Sequence, residues 1–138
     1  MRIAVVDGQG GGIGKHIVER IRRELQEEAV ILALGTNSVA TAQMLRAGAN
    51  DGATGENAIV RNVNSVDVIV GTISIVLAHS MMGELTPRMA EAVASSRATK
   101  ILLPLNRSGV EIIGTPPEPL PHLIDALVRR LKELLRTS

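Results

Sequence analysis

The sequence predicts an α/β domain built on a mostly parallel sheet, and three observations predict it. Apolar runs of strand length recur at residues 3–6, 30–34, 66–70 and 101–105. Apolar residues at helical spacing fill the stretches between them, as in 13–28, where Ile13, Ile17, Val18, Ile21 and Leu25 share one face. A polar or glycine-containing turn follows each run directly. Strands that alternate with helices are joined by crossovers, and crossovers give parallel pairing.

The first unit is the most informative. The run 3–6 leads into Asp7-Gly8-Gln9-Gly10-Gly11-Gly12-Ile13-Gly14-Lys15, with five glycines within residues 8–14. Glycine allows positive φ and close backbone approach, and the free N–H groups of a helix's first turn attract anions, so this junction suits a phosphate. Asp7 has two readings. It either accepts hydrogen bonds from the turn's own N–H groups or is a site carboxylate that orients a hydroxyl or a divalent metal.

The second run, 30–34, ends in Gly35-Thr36-Asn37-Ser38, and the spacing predicts a helix over 39–47 capped by Ser38 and stopped at Gly48. That cap leaves Thr36 and Asn37 free for a ligand. Residues 48–62 read as a long loop in which Glu56 has the best claim to a site role, against a helix-start or solvated acid. The third run, 66–70, carries Gly71-Thr72 at its end.

Residues 73–82 are expected to form a buried helix, with His79 a hydrogen-bonded core residue. Glu84 sits at the turn after it, facing the site or water. Thr86-Pro87 starts a helix by N-cap and N1 chemistry, reaching about 96. Pro104 implies the fourth strand's end or an edge, Asn106-Arg107 follows it, and 110–113 is expected to return antiparallel as a hairpin. The proline-rich stretch 115–121 links to a last helix with a broad apolar face from Leu123 to Leu135, able to cover the sheet or a second subunit in a homodimer.

Together these elements make a three-layer, Rossmann-like domain, 1–138, mostly parallel with an antiparallel edge strand. At 138 residues the chain is short for a dinucleotide fold of two mononucleotide halves. Asp7 and its loop, Thr36-Asn37, Thr72 and Asn106-Arg107 all follow strands, so they converge on the sheet edge where such folds bind ligands. The expected ligand-binding set is therefore Gly8, Gly10, Gly11, Gly12, Ile13, Gly14, Lys15, Thr36, Asn37, Thr72, Asn106 and Arg107.

Composition narrows the function. Net charge is +1 and Phe, Tyr and Trp are absent, so neither the basic footprint nor the stacking platforms of nucleic-acid binding are present. There is no cysteine, hence no disulfide, thiolate nucleophile or Cys-type zinc site. No signal peptide precedes the first strand and no apolar stretch suits a bilayer, so a cytoplasmic location is expected.

The spacing Gly8-x-x-x-Gly12-x-Gly14 resembles the first turn of short-chain dehydrogenases, which bind the cofactor pyrophosphate there. That likeness implies NAD(P) or another nucleotide as the cofactor. It covers only this turn, Asp7 departs from it, and the Tyr-x-x-x-Lys pair of those enzymes is missing. Over nearly the full length, Asp7–Lys15, Leu34–Asn37, Gly52–Asn57, Gly83-Glu84, Pro104–Arg107 and Pro119–Asp125 make the chain similar to a family of short bacterial proteins of unknown function. That resemblance implies no activity. The preferred reading is a small binding or regulatory protein for a phosphorylated small molecule, without nucleic acid, membrane or metal. The alternative is an enzyme on a phosphorylated or nucleotide substrate, with Asp7, Glu56 or Glu84 as base or metal ligand.

Overall fold

A computed structural model describes residues 1–105 and 109–137. Its element order is β1 (Arg2–Asp7), α1 (Gly12–Leu25), β2 (Val30–Gly35), α2 (Ser38–Ala47), β3 (Asp51–Thr54), α3 (Glu56–Asn62), β4 (Val68–Thr72), α4 (Pro87–Ser95), β5 (Thr99–Leu103) and α5 (Leu120–Thr137). The five strands form one sheet in the order β3-β2-β1-β4-β5, and every pairing is parallel.

Alternation along the strands divides the core. Ile3 and Val5 of β1, with Ile31, Ala33, Val68 and Val70, pack against Ile17, Val18 and Ile21 of α1 and Ile124, Leu127, Val128 and Leu131 of α5. Ala4 and Val6 face the other way with Leu34 and Ile69, onto Ile59 of α3 and Met89 and Val93 of α4. Helices thus cover both faces. Ile17 and Ile21 are fully buried, and each such side chain contributes roughly 1.5–3 kcal/mol relative to exposure. The apolar face of α5 is used within the chain, against α1 and the sheet.

Four expectations are corrected. Residues 48–62 are not a loop: β3 pairs with β2 from Leu32–Asp51 to Gly35–Thr54, and α3 follows at once. Residues 73–82 are not a helix. Short 3-10 turns at Ile73–Val76 and Met81–Gly83 flank an irregular segment in which His79 is exposed with φ 66°, not a core residue. Ser38 is not the cap of α2; Asn37 is, its side chain accepting from the Ala40 N–H at 2.9 Å. Residues 110–113 form no strand, so the described residues contain no antiparallel edge, and Ile113 is 92% exposed. Asn106 and Arg107 lie outside the described residues.

Other boundaries agree with the expectation. Thr86 caps α4, accepting from the Met89 N–H at 3.2 Å with Pro87 in the first turn. Strand β5 lies at the sheet edge just before Pro104.

Candidate functional site

The turn after β1 closes with a hydrogen bond from the Gly11 N–H to the Gly8 carbonyl at 2.9 Å. Gly11 has φ 73°, and a Cβ there would stand 2.7 Å from the Ala40 Cα, so α2 presses on the turn where only glycine fits. Helix α1 begins at Gly12 without any side-chain cap from its own N-cap residue. The Asp7 carboxylate supplies the missing acceptor: Oδ1 takes the Gly8 N–H at 2.8 Å and Oδ2 the Gly14 N–H at 2.7 Å. Gly14 must be glycine, because a Cβ there would fall 2.8 Å from the Asp7 Cβ and the Met44 sulfur.

Asp7 is buried, at 8% exposure. Burial pushes its carboxyl above the usual range, the Gly14 and Gly8 N–H bonds oppose this, and the nearby Glu84 carboxylate adds to it. A carboxyl whose folded pKa is raised gives its full stabilisation below the unfolded value, about 3.9, and loses it as pH rises through the folded value. Asp7→Asn removes that slope and turns one donor towards another, a constant offset of about 1–2 kcal/mol. The variant should therefore gain on wild type as pH rises above the unfolded value of about 4. Thermal melts followed by circular dichroism test this; a difference that stays constant with pH refutes it.

Glu84 is the second acid at the loop. Its Oε1 accepts from the Gln9 N–H at 2.8 Å, the Thr36 hydroxyl at 2.7 Å and the Asn37 side-chain amide at 2.8 Å. The Thr36 bond first, then Gln9, with a lesser part from Asn37, hold its carboxyl below the usual range; burial opposes them, more weakly than the first two. Asn37 also donates to the Gln9 carbonyl at 2.9 Å. Thr36 and Asn37 are therefore not free, as a Ser38 cap implied; they join the end of β2 to Glu84.

Glu56 belongs elsewhere. It accepts from the Thr86 hydroxyl at 2.6 Å and pairs with Arg88 at 3.8 Å, tying the start of α3 to the start of α4. No described contact brings it to Asp7 or Glu84. Among the described residues no three metal-ligating side chains cluster.

A pocket of about 410 Å³ opens beside the loop, lined by Asp7, Gly8, Gln9, Gly10, Gly11, Gly12, Ile13, Thr72, Ser74, Met81 and Met82. It lies between the ends of β1 and β4, the neighbours at which the chain changes its direction of travel across the sheet. The N–H groups of Gly10, Gly12 and Ile13 have no acceptor among the described residues. Cβ atoms at Gly10 and Gly12 would meet nothing within 4 Å. Six expected ligand residues meet here, Gly8, Gly10, Gly11, Gly12, Ile13 and Thr72, while Gly14 is engaged by Asp7. Lys15 is half-buried one residue beyond and does not line the pocket.

The chain's match to known families enters at this point. Residues 2–136 match the model of a domain of unknown function, DUF3842. The chain belongs to that family. No curated protein and no solved structure matches it.

Sequence reasoning missed Gln9, Ser74, Met81 and Met82 as pocket residues. Ser74 was discoverable: it stands two residues past Thr72, whose hydroxyl accepts its N–H at 3.3 Å. The methionines were not, because a helix over 73–82 puts them elsewhere. A larger depression of about 640 Å³, lined by Arg22 and residues 24–28, sits at the other end of α1. There a helix C-terminus meets Glu24, Glu27 and Glu28, an environment that repels anions.

Proposed function

We propose that this protein binds a nucleotide, NAD(P) or another phosphorylated small molecule in the pocket beside residues 8–13, as a cytoplasmic binding or regulatory protein of Rossmann-like, three-layer design. One observation carries the reading: three N–H groups without an acceptor among the described residues, those of Gly10, Gly12 and Ile13, open onto a pocket at a helix N-terminus. A phosphate oxygen satisfies such groups, and the helix dipole favours its charge. Thr72 and Ser74 line the facing wall, and Met81 and Met82 offer adaptable apolar cover in a chain without aromatic rings. The binding reading is better supported than the enzymatic one. Of the three acids that the latter needs, Glu56 is committed to Thr86 and Arg88, and Asp7 holds the turn together.

The test uses the missing chromophores. Without Trp, Tyr or disulfide the protein absorbs almost nothing near 280 nm, so protein freed of nucleic acid is denatured and filtered, and the filtrate's ultraviolet spectrum and mass are recorded. A stoichiometric nucleotide establishes the reading. An empty filtrate, with no binding of nucleotides in calorimetry, overturns it. Lys15→Ala is expected to weaken a phosphate ligand by roughly three- to tenfold at low salt and by less at high salt, since screening already weakens a surface charge. Equal loss at both ionic strengths contradicts a charge contribution from Lys15.

A further inference from the structure

We infer that Glu84 is an internal competitor beside this pocket, which it adjoins through Gln9: its carboxylate occupies donors that an anionic group of the phosphorylated ligand takes up, and the ligand completes its site by turning Glu84 out. This rests on the reading above. The Gln9 N–H, the Thr36 hydroxyl and the Asn37 amide belong to separate stretches of chain, yet all three point at one oxygen, Oε1 of Glu84. Three donors on one oxygen form a cradle for an anion. The other oxygen, Oε2, makes no hydrogen bond among the described residues, so one atom carries the whole attachment.

The anion-binding capacity of the loop is thus divided. Gln9 gives its N–H to Glu84, while Gly10, Gly12 and Ile13 keep theirs open. Asp7 lines the pocket and Glu84 adjoins it through Gln9, so a phosphate on the open groups meets like charge from both; Glu84 is near enough to raise the proton affinity of Asp7. Moving Glu84 aside removes one like charge and frees three donors for phosphate oxygens in the same step.

The neighbourhood is shaped for such a movement. A Cβ at Gly8 would lie 2.4 Å from the Thr36 hydroxyl oxygen, 2.6 Å from the Met81 sulfur and 3.0 Å from Glu84 Oε1, so the closed position requires glycine at 8. The segment that carries Glu84 is closed at its base by the bond from the His79 N–H to the Leu85 carbonyl at 2.7 Å and by Ser80 to Ser74 at 2.6 Å. Leu85 is fully buried. Rotation about the side-chain bonds of Glu84 releases the donors without unseating that anchor.

Inorganic pyrophosphate is the probe, titrated by calorimetry into wild type, Glu84→Ala and Glu84→Gln. Expected are a gain of roughly tenfold in affinity for Glu84→Ala and a smaller gain for Glu84→Gln, which keeps an acceptor but loses the charge. Thr36→Val in the Glu84→Ala background should reverse part of the gain. Hydrogen exchange gives a second readout: the Gln9 amide is protected in wild type, loses protection in Glu84→Ala, and regains it with pyrophosphate. Where Glu84→Ala loses its helical signal, Glu84→Gln decides. Pyrophosphate binding that is unchanged or weakened by removing Glu84 overturns the competitor and leaves the ligand reading intact. No binding to any variant overturns the competitor as well, and the ligand reading falls with it only where the filtrate is also empty.

Discussion

Gly12→Val is expected to reduce affinity for the phosphorylated ligand at least about a hundredfold, close to 3 kcal/mol, while leaving the fold in place. The steric facts separate the two effects. Nothing lies within 4 Å of a Cβ at residue 12, and its φ is not left-handed, so a side chain there finds room in the free protein. It is the first residue of α1, where a β-branched residue costs little because no preceding turn crowds it. The room it finds is the pocket itself, beside the free N–H groups of Gly10 and Ile13. Two methyl groups there hold a phosphate out of hydrogen-bonding range and leave those donors unpaired. Neighbouring Gly11 makes the contrast: with φ 73° and Ala40 backbone at 2.7 Å, a valine there disrupts the turn and is uninformative about binding. The check is calorimetry with the nucleotide recovered from the filtrate, beside a thermal melt. Unchanged affinity in a folded Gly12→Val protein would place the ligand elsewhere.

That prediction uses the part of the chain most legible in the sequence. The run 3–6, the glycines and the apolar face from Ile17 to Leu25 act within one strand-turn-helix unit, so local pattern and tertiary structure agree. Strand β3 could not be read in this way. Asp51–Thr54 has no apolar alternation and is largely exposed; its place comes from backbone pairing with Leu32–Gly35 at a sheet edge. Residues 73–82 misled for the opposite reason. The run is apolar, yet Ile73, Ile75 and Val76 are β-branched, and the Ser80 hydroxyl bonds back to the Ser74 carbonyl, which favours an irregular turn over a helix. His79, Met81 and Met82 then take φ of 66°, 57° and 57°, a backbone choice that periodicity does not register. The cost was functional, because the pocket's methionines and the approach of Glu84 to Gln9 depend on that segment. The cap of α2 was expected one residue late, at Ser38 instead of Asn37. Both Asn37 and Ser38 are good N-caps, and the choice follows from the turn out of β2, where Asn37 has φ −140° and ψ 166° and its side chain also reaches Glu84.

The largest effect on stability is expected at Gly35, a position that lies outside the pocket. A Cβ there would fall 2.2 Å from the Thr41 hydroxyl oxygen and 2.7 Å from both the Asn37 carbonyl oxygen and the Thr41 nitrogen. Two of these three atoms are backbone in the first turn of α2, so a rotamer change cannot clear them. Gly35→Ala must therefore push α2 away from the end of β2. That displacement strains the Asn37 cap and the Thr41 hydroxyl, which bonds Thr54 Oγ1 at 2.8 Å and holds β3 to the sheet. Overpacking alone costs about 1–3 kcal/mol; with a weakened cap at about 1 kcal/mol the total should reach roughly 3 kcal/mol or more. Gly10→Ala, one methyl group in open space at a φ outside the left-handed region, should stay within about 0.5 kcal/mol of wild type. Urea unfolding followed at 222 nm compares the two. Thr41→Ala removes only the side-chain oxygen from the clash, so combining it with Gly35→Ala should leave the loss unrepaired. Full recovery in the double variant would mean that the hydroxyl, and not the close seating of the α2 backbone on β2, excludes a side chain at residue 35.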